Sequence, residues 1–373
     1  MRKTTVLIIL SALLISCTGK AVDDIFNDDK GDKAGGDAEQ ERLYAWEKER
    51  TSLLDYDNMV LIYGGGRHRT YKWDEEAFQP YVTYTDEGGI EHWLFDCFLF
   101  LEIKDGDAKT FAKGYTEIPA NLRDWRNLAD YYFDSSMSLG ALNRAVGAAM
   151  KRMGVPDCKR KVVISIPEPI KGQKDWGSVS DGIMLDFSID LHRIEACKWY
   201  IDYVRSKFNQ MNYKHLELAG FYWLAEQAGT TRTIINQVSR YLNELQYTFN
   251  WIPYFVSGGH KEWETLGFNY AYLQPNYFFT ESLPYSRLTD ACQLANVYGM
   301  DMEMEFDERV LTGWGYRLKD YMKAFKENGI WQNKRLAYYQ GGTALYQLAR
   351  SSKHEDQELY HEFCKFVVES VKQ

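Results

Sequence analysis

Apolar residues along this chain change their spacing again and again, and the changes cut it into strands and helices. Short apolar runs occur at Met59–Tyr63, Trp93–Ile103, Lys161–Ile166, His215–Trp223, Phe249–Phe255, Phe268–Leu273, Gly299–Phe306 and Leu336–Tyr339. Between most of them the apolar positions recur at about 3.6 residues. That spacing predicts helices at Ser138–Met153, Asp190–Met211, Thr231–Gln246, Tyr285–Val297, Gly315–Asn328 and Ala344–Arg350, with Glu355–Lys372 as a terminal helix. Tyr81–Tyr84 and the turn Thr85–Gly89 read as a hairpin feeding the second strand. The remaining connections are too long for hairpins, so the strands pair in parallel. Eight such repeats predict an α/β chain closed into a (β/α)8 TIM barrel. An open doubly wound sheet would carry a glycine-rich phosphate turn after its first strand. Gly64-Gly65-Gly66 fits neither GxGxxG nor the P-loop.

The strictest alternation lies in the seventh run. Met300, Met302, Met304 and Phe306 share one face of a strand, and Asp301, Glu303, Glu305 and Asp307 share the other. Four carboxylates along one face repel one another, and each costs several kcal/mol to bury without a partner. A closed parallel barrel resolves the conflict: the methionine face packs on the outer helices, and the acidic face points inward toward a solvated mouth.

The ends of the chain set its compartment. Met1-Arg2-Lys3 followed by the apolar run Val6–Ile15 is a signal peptide, the run being shorter than the ~20 residues of a spanning helix. Leu14-Ile15-Ser16-Cys17 resembles a bacterial lipobox, which implies cleavage before Cys17 and lipidation of its thiol. Residues 18–40, rich in Asp, Gly and Lys, are expected to be a disordered tether. Asp23-Asp24 resembles the acidic tag of surface-exposed lipoproteins. The expected organisation is therefore a signal peptide at 1–17, a tether at 18–40 and a barrel at 41–373. The protein would sit at the cell envelope, held to the outer membrane or cell surface through its lipid alone.

The other five cysteines, Cys97, Cys158, Cys197, Cys292 and Cys364, are odd in number and form no CxxC pair, so neither a disulfide framework nor a zinc site is encoded. The seven histidines show no ligand spacing, and neither a metal nor another cofactor is expected. A net charge of −9 argues against nucleic acid as a partner. Aromatic residues make up 15% of the chain, with 11 Trp and 27 Tyr, and such rings serve as flat platforms for sugars.

In parallel barrels chemistry sits at the C-terminal strand ends. The polar residues expected there are Asp96, Glu168, Trp223, Glu226, Trp251, Tyr254, Gln274, Asn276, Tyr277, Glu303, Glu305, Tyr339 and Gln340. Carboxylates, amides and rings with few cations suit a neutral polyhydroxyl ligand. Arg67-His68-Arg69 after the first strand is a further candidate, for an acidic sugar, and Trp73, Trp176, Trp263 and Trp314 for stacking. Retaining glycosidases use two carboxyl groups about 5–5.5 Å apart, one a proton donor with a raised pKa and the other an ionised nucleophile. Glu226 after the fourth strand and Glu305 on the seventh resemble the pair of a large clan of retaining barrel glycosidases. The likeness implies Glu226 as acid/base and Glu305 as nucleophile. Glu303, about 6.5 Å deeper on the same face, competes for the second role. The chain departs from that clan in carrying Ala225 where the clan has Asn.

Leu94-Phe95-Asp96, Ile164-Ser165-Ile166-Pro167, Gly220-Phe221-Tyr222-Trp223, Trp251-Ile252-Pro253-Tyr254, Leu273-Gln274-Pro275-Asn276-Tyr277 and Met302-Glu303-Met304-Glu305 follow one another in an order that resembles the bacterial family catalogued as domain of unknown function 4855. The similarity runs from about Asp57 to the end. It implies a glycoside-hydrolase-like barrel, often in secreted or surface-attached proteins, and assigns neither substrate nor catalytic residues. The expected function is hydrolysis of an extracytoplasmic glycan, with a non-catalytic glycan-binding lipoprotein as the alternative.

Overall fold

The computed structural model describes residues 56–179 and 182–370. The expected signal peptide, Cys17 and tether lie outside the described residues.

Eight strands close into one parallel barrel, each hydrogen-bonded to the next and the last to the first. They are β1 (Asn58–Tyr63), β2 (Cys97–Leu101), β3 (Arg160–Ile166), β4 (Leu216–Trp223), β5 (Thr248–Trp251), β6 (Tyr270–Leu273), β7 (Asp301–Glu305) and β8 (Leu336–Tyr339). Every residue of β1 to β6 is buried, as strands covered on both faces require. The helices are α1 (Glu75–Val82), α2 (Leu122–Tyr132), α3 (Ser138–Met153), α4 (Asp190–Met211), α5 (Arg232–Glu244), α6 (Trp263–Leu266), α7 (Ser286–Val297), α8 (Gly315–Glu327), α9 (Ala344–Arg350) and α10 (His354–Ser370). Among the described residues no helix is long and apolar enough to cross a membrane.

The expected barrel is thus the observed one, with two local differences. The run Trp93–Ile103 is split: Glu91–Trp93 pairs back on Thr83–Thr85 as a separate antiparallel hairpin, and only Cys97–Leu101 joins the barrel. Helices α1 and α2 were not expected, although α2 buries an apolar stripe of Trp125, Leu128, Ala129 and Tyr132. Their starts are nonetheless written in the chain, by Asp74 accepting the Ala77 N–H at 2.9 Å and by a reciprocal cap between Asn121 and Asp124.

The alternation in β7 has the predicted sense. Glu303 and Glu305 face the barrel interior, level with Ala337 and Tyr339 of β8. The other face meets the helices, where Phe306 packs on Phe363 of α10 with centroids 5.1 Å apart. The lower interior is filled by a buried ion pair, Lys161 to Glu217 at 2.8 Å, and by Tyr56 donating to Asn250 at 2.7 Å. Between these and the mouth, β4 gains a residue against β3. Val162 pairs with Leu218 but Val163 with Gly220, a bulge that turns Tyr222, and not Trp223, toward the interior.

Candidate functional site

At the C-terminal ends of the strands a cavity of about 400 Å³ opens, lined by four carboxyl-bearing residues, Glu102, Glu226, Glu303 and Glu305. Glu305 is the last residue of β7. Its Oε2 accepts the backbone N–H of Asn276 and the hydroxyl of Tyr321 from α8, each at 2.7 Å. Burial pushes its pKa up to about 7, against the pull of those two donors, and the nearby Glu226 charge adds to the rise. Glu303 lies one pleat below. Among the described residues its Oε1 has no hydrogen-bond partner. Burial, with Glu305 and Glu226 facing it, pushes its pKa well above the ordinary carboxylate value and so favours its neutral form.

Glu226 leaves β4 in a bend ahead of α5 and reaches the cavity from the far side. Burial raises its pKa, opposed by Gln274, whose Nε2 donates to Glu226 Oε1 at 3.2 Å. The same amide nitrogen donates to the Ile252 carbonyl, and Gln274 Oε1 accepts from Asn276 Nδ2 at 3.1 Å. Asn276 sits at φ +51, a left-handed conformation open to Asn more than to most residues, and this aims its N–H at Glu305. A continuous chain of hydrogen bonds therefore runs from Glu226 through Gln274 and Asn276 to Glu305.

Linkage gives a first expected result. A carboxyl whose pKa rises on folding binds more protons folded than unfolded, so it stabilises the fold below its unfolded pKa, about 4.3. That contribution is lost as pH rises through the folded pKa, about 7 for Glu305 and also raised for Glu303. Glu303→Gln, neutral at every pH, is expected to stabilise the protein by roughly 1–3 kcal/mol more at about pH 8 than at about pH 4. Equal changes in unfolding midpoint at both pH values would show that folding does not raise the Glu303 pKa.

Of the other residues expected at the mouth, Glu168, Tyr254, Gln274, Asn276 and Tyr339 line cavity walls. Gln274 gives its amide hydrogens to Glu226 and to the Ile252 carbonyl and has none left for a sugar. Five expectations are corrected. Asp96 precedes β2 and so lies at the opposite end of the barrel, where it accepts the N–H groups of Asp57 and Asn58 at 2.8 and 2.9 Å. Trp223 and Trp251 point outward, because the bulge in β4 and the pleat of β5 turn them to the helices. Trp251 stacks on Phe268 at 4.8 Å. Tyr277 faces α8, its hydroxyl donating to Asp320 at 2.7 Å. Gln340 is buried behind β8, accepting from Tyr81 and donating to Leu61 O and Gly342 O. Trp73, Trp176 and Trp263 are buried, and Trp314 packs on Phe278.

Residues not expected also line the wall, among them Tyr63, Glu102, Lys104, Tyr115, Tyr222 and Phe279. Arg69, from the basic triplet, donates to both oxygens of Glu102 at 2.7 Å and so is neutralised rather than offered to an acidic ligand. Tyr63 and Tyr222 follow from the period-2 pattern of β1 and β4 once the register is known. Tyr115 and Phe279 stand on loops, where no periodicity marks them. A second cavity of about 390 Å³ adjoins the first and shares Tyr115 and Glu226 with it. Among the described residues no group of His, Cys, Asp and Glu is arranged to hold a metal ion.

Among curated proteins none matches this chain. Solved structures similar to it include a candidate alpha-L-fucosidase from Bacteroides thetaiotaomicron, 11% identical, with 86% of this chain and 98% of that one covered and a TM-score of 0.43. A group IV chitinase from Ostrinia furnacalis is 11% identical over 84% and 100%, with a TM-score of 0.40. A tryptophan synthase alpha-subunit from Pyrococcus furiosus is 8% identical over 84% and 97%, with a TM-score of 0.39. At these values none of them carries an activity or a substrate to this chain. The model of the family described as domain of unknown function 4855 matches residues 58–365, and the chain belongs to that family.

Proposed function

We propose that this protein is a retaining glycoside hydrolase with Glu226 as acid/base and Glu305 as nucleophile. The observation that carries the reading is the unequal environment of three carboxyl groups around one cavity. Glu305 takes two strong donors, which favour its anion. Burial raises Glu226 as it raises Glu305, but Glu226 takes only a single neutral amide, so fewer donors hold its anion. Glu303 below them is pushed toward its neutral form by burial and by the two facing carboxyls, which leaves the negative charge to Glu305. The aromatic walls Tyr63, Tyr115, Tyr222 and Tyr339 offer apolar ring faces with polar edges, the surface a sugar presents in reverse.

In this scheme Glu226 gives its proton to the glycosidic oxygen as the bond to the anomeric carbon breaks. The Glu305 carboxylate bonds to that carbon. Water, losing a proton to Glu226, then displaces Glu305 and restores both groups. The test is a panel of neutral plant and host glycans incubated with the full chain, with the first-formed product anomer read by proton NMR. Retention supports the scheme; inversion removes Glu305 as nucleophile. Saccharide binding without any cleavage favours the glycan-binding alternative.

We place this chemistry outside the cytoplasm, on a lipid at Cys17, a reading supported by the residue pattern of positions 1–17. Metabolic labelling with a fatty acid is expected to mark the protein and to be lost in Cys17→Ser; labelling that survives the substitution would refute it.

A further inference from the structure

We infer that the cavity behind Glu226 is a second sugar site, so that the substrate is a saccharide chain held on both sides of the bond that is cut. This rests on the saccharide reading above and adds what the leaving group must be. The first support is position. Glu226 and Tyr115 line both cavities, so the proposed proton donor stands on the ridge between them. An acid that protonates a bridging oxygen has to stand between the two groups that oxygen joins. The second is size. The cavities measure about 400 and about 390 Å³, each within the range of small-molecule sites, and a small leaving group would leave the second one empty.

The third support is the chemistry of the second wall. Glu168 is only 6% exposed. One of its oxygens accepts the Lys113 backbone N–H at 2.8 Å. Among the described residues the other takes no hydrogen bond, and the side chain lines the cavity. A carboxyl oxygen that faces a cavity and takes no donor from the protein is an open acceptor, and a sugar hydroxyl can donate to it. Tyr254 gives a half-buried ring beside it, its hydroxyl donating to Gln227 at 3.1 Å. Tyr115, 47% exposed, presents a free ring face at the junction. This wall carries two carboxyls, Glu168 and Glu226, against one lysine, Lys113, so an acidic sugar is disfavoured and the sugar it takes is neutral.

The experiment uses full-length Glu305→Gln protein and titrates it with cello-, xylo-, manno- and chito-oligosaccharides from the monosaccharide to the hexamer. The readout is the ratio of oligosaccharide to monosaccharide affinity. For at least one series this ratio is expected to exceed about tenfold, and Tyr254→Ala or Glu168→Gln is expected to remove about tenfold of it, the worth of one charge-assisted hydrogen bond or stacked ring. Tyr254 stands at the rim, so its variant carries the test if the Glu168 variant fails to fold. Affinity that ignores chain length, a ratio that survives both substitutions, or no binding in any series would overturn the inference. Length-dependent binding lost in the variants, with no cleavage by the wild type, would retire the hydrolase reading and leave the second sugar site standing. Cleavage by the wild type without length dependence would retire the second site alone.

Discussion

Glu305→Gln is expected to lower turnover by at least about a thousandfold while saccharide affinity stays within roughly threefold. The amide keeps the shape of the carboxylate, and its oxygen still accepts from Asn276 and Tyr321. What it loses is the charge that attacks the anomeric carbon. Glu303→Gln serves as the contrast, because that residue shares the strand face but is pushed toward its neutral form by burial. Wild-type turnover in Glu305→Gln with loss in Glu303→Gln would exchange their roles. The pH profile follows from the same assignment. Turnover needs Glu305 ionised, so kcat/KM falls as pH drops below about 7, a value that belongs to the Glu303–Glu305 pair together. Tyr321→Phe removes a donor to the charged form and moves that limb to higher pH. A limb that stays in place would mean that the titrating group lies elsewhere.

Gly220→Ala is expected to destabilise the barrel by about 3 kcal/mol or more, or to prevent folding. A Cβ at Gly220 would stand well inside van der Waals contact with the hydroxyl and the carbonyl oxygen of Thr248. Neither can retreat. Thr248 pairs with Gly220 across the sheet, its hydroxyl donates to Ala219 O at 3.1 Å, and it accepts from Asn250 at 3.1 Å. Gly258→Ala, where an added Cβ meets no atom within 4 Å, is the matched control. Comparable denaturant midpoints for the two variants would show that β4 does not adopt the bulged register. That register places Tyr222 at the cavity, so the same result would also redraw its wall.

Much of this was legible in the chain because strand alternation is a local property. The order Met300 to Asp307 needs no partner to show which side chains share a face, and burying unpaired acids is costly enough to say which face lines a site. Strands separated by helices imply parallel pairing, and eight of them imply closure. The caps at Asp74 and Asn121 were equally local and would have revealed α1 and α2.

Height in the barrel and the identity of partners are not local. Asp96 and Glu102 flank the same strand six residues apart, yet one ties the bottom and the other lines the mouth, and only the start of β2 separates them. Trp223 and Tyr222 exchanged places through a bulge defined against β3, an alignment between segments that no single segment encodes. Gln274 reads as a ligand-binding amide until its neighbours from three loops are seen to use it up. By itself the sequence determined the class of fold and the acidic strand, since periodicity and the cost of burying charge act within one segment. The tertiary structure decided which acid holds a proton, which holds a charge and which rings face them, because register and loop approach depend on what other segments do.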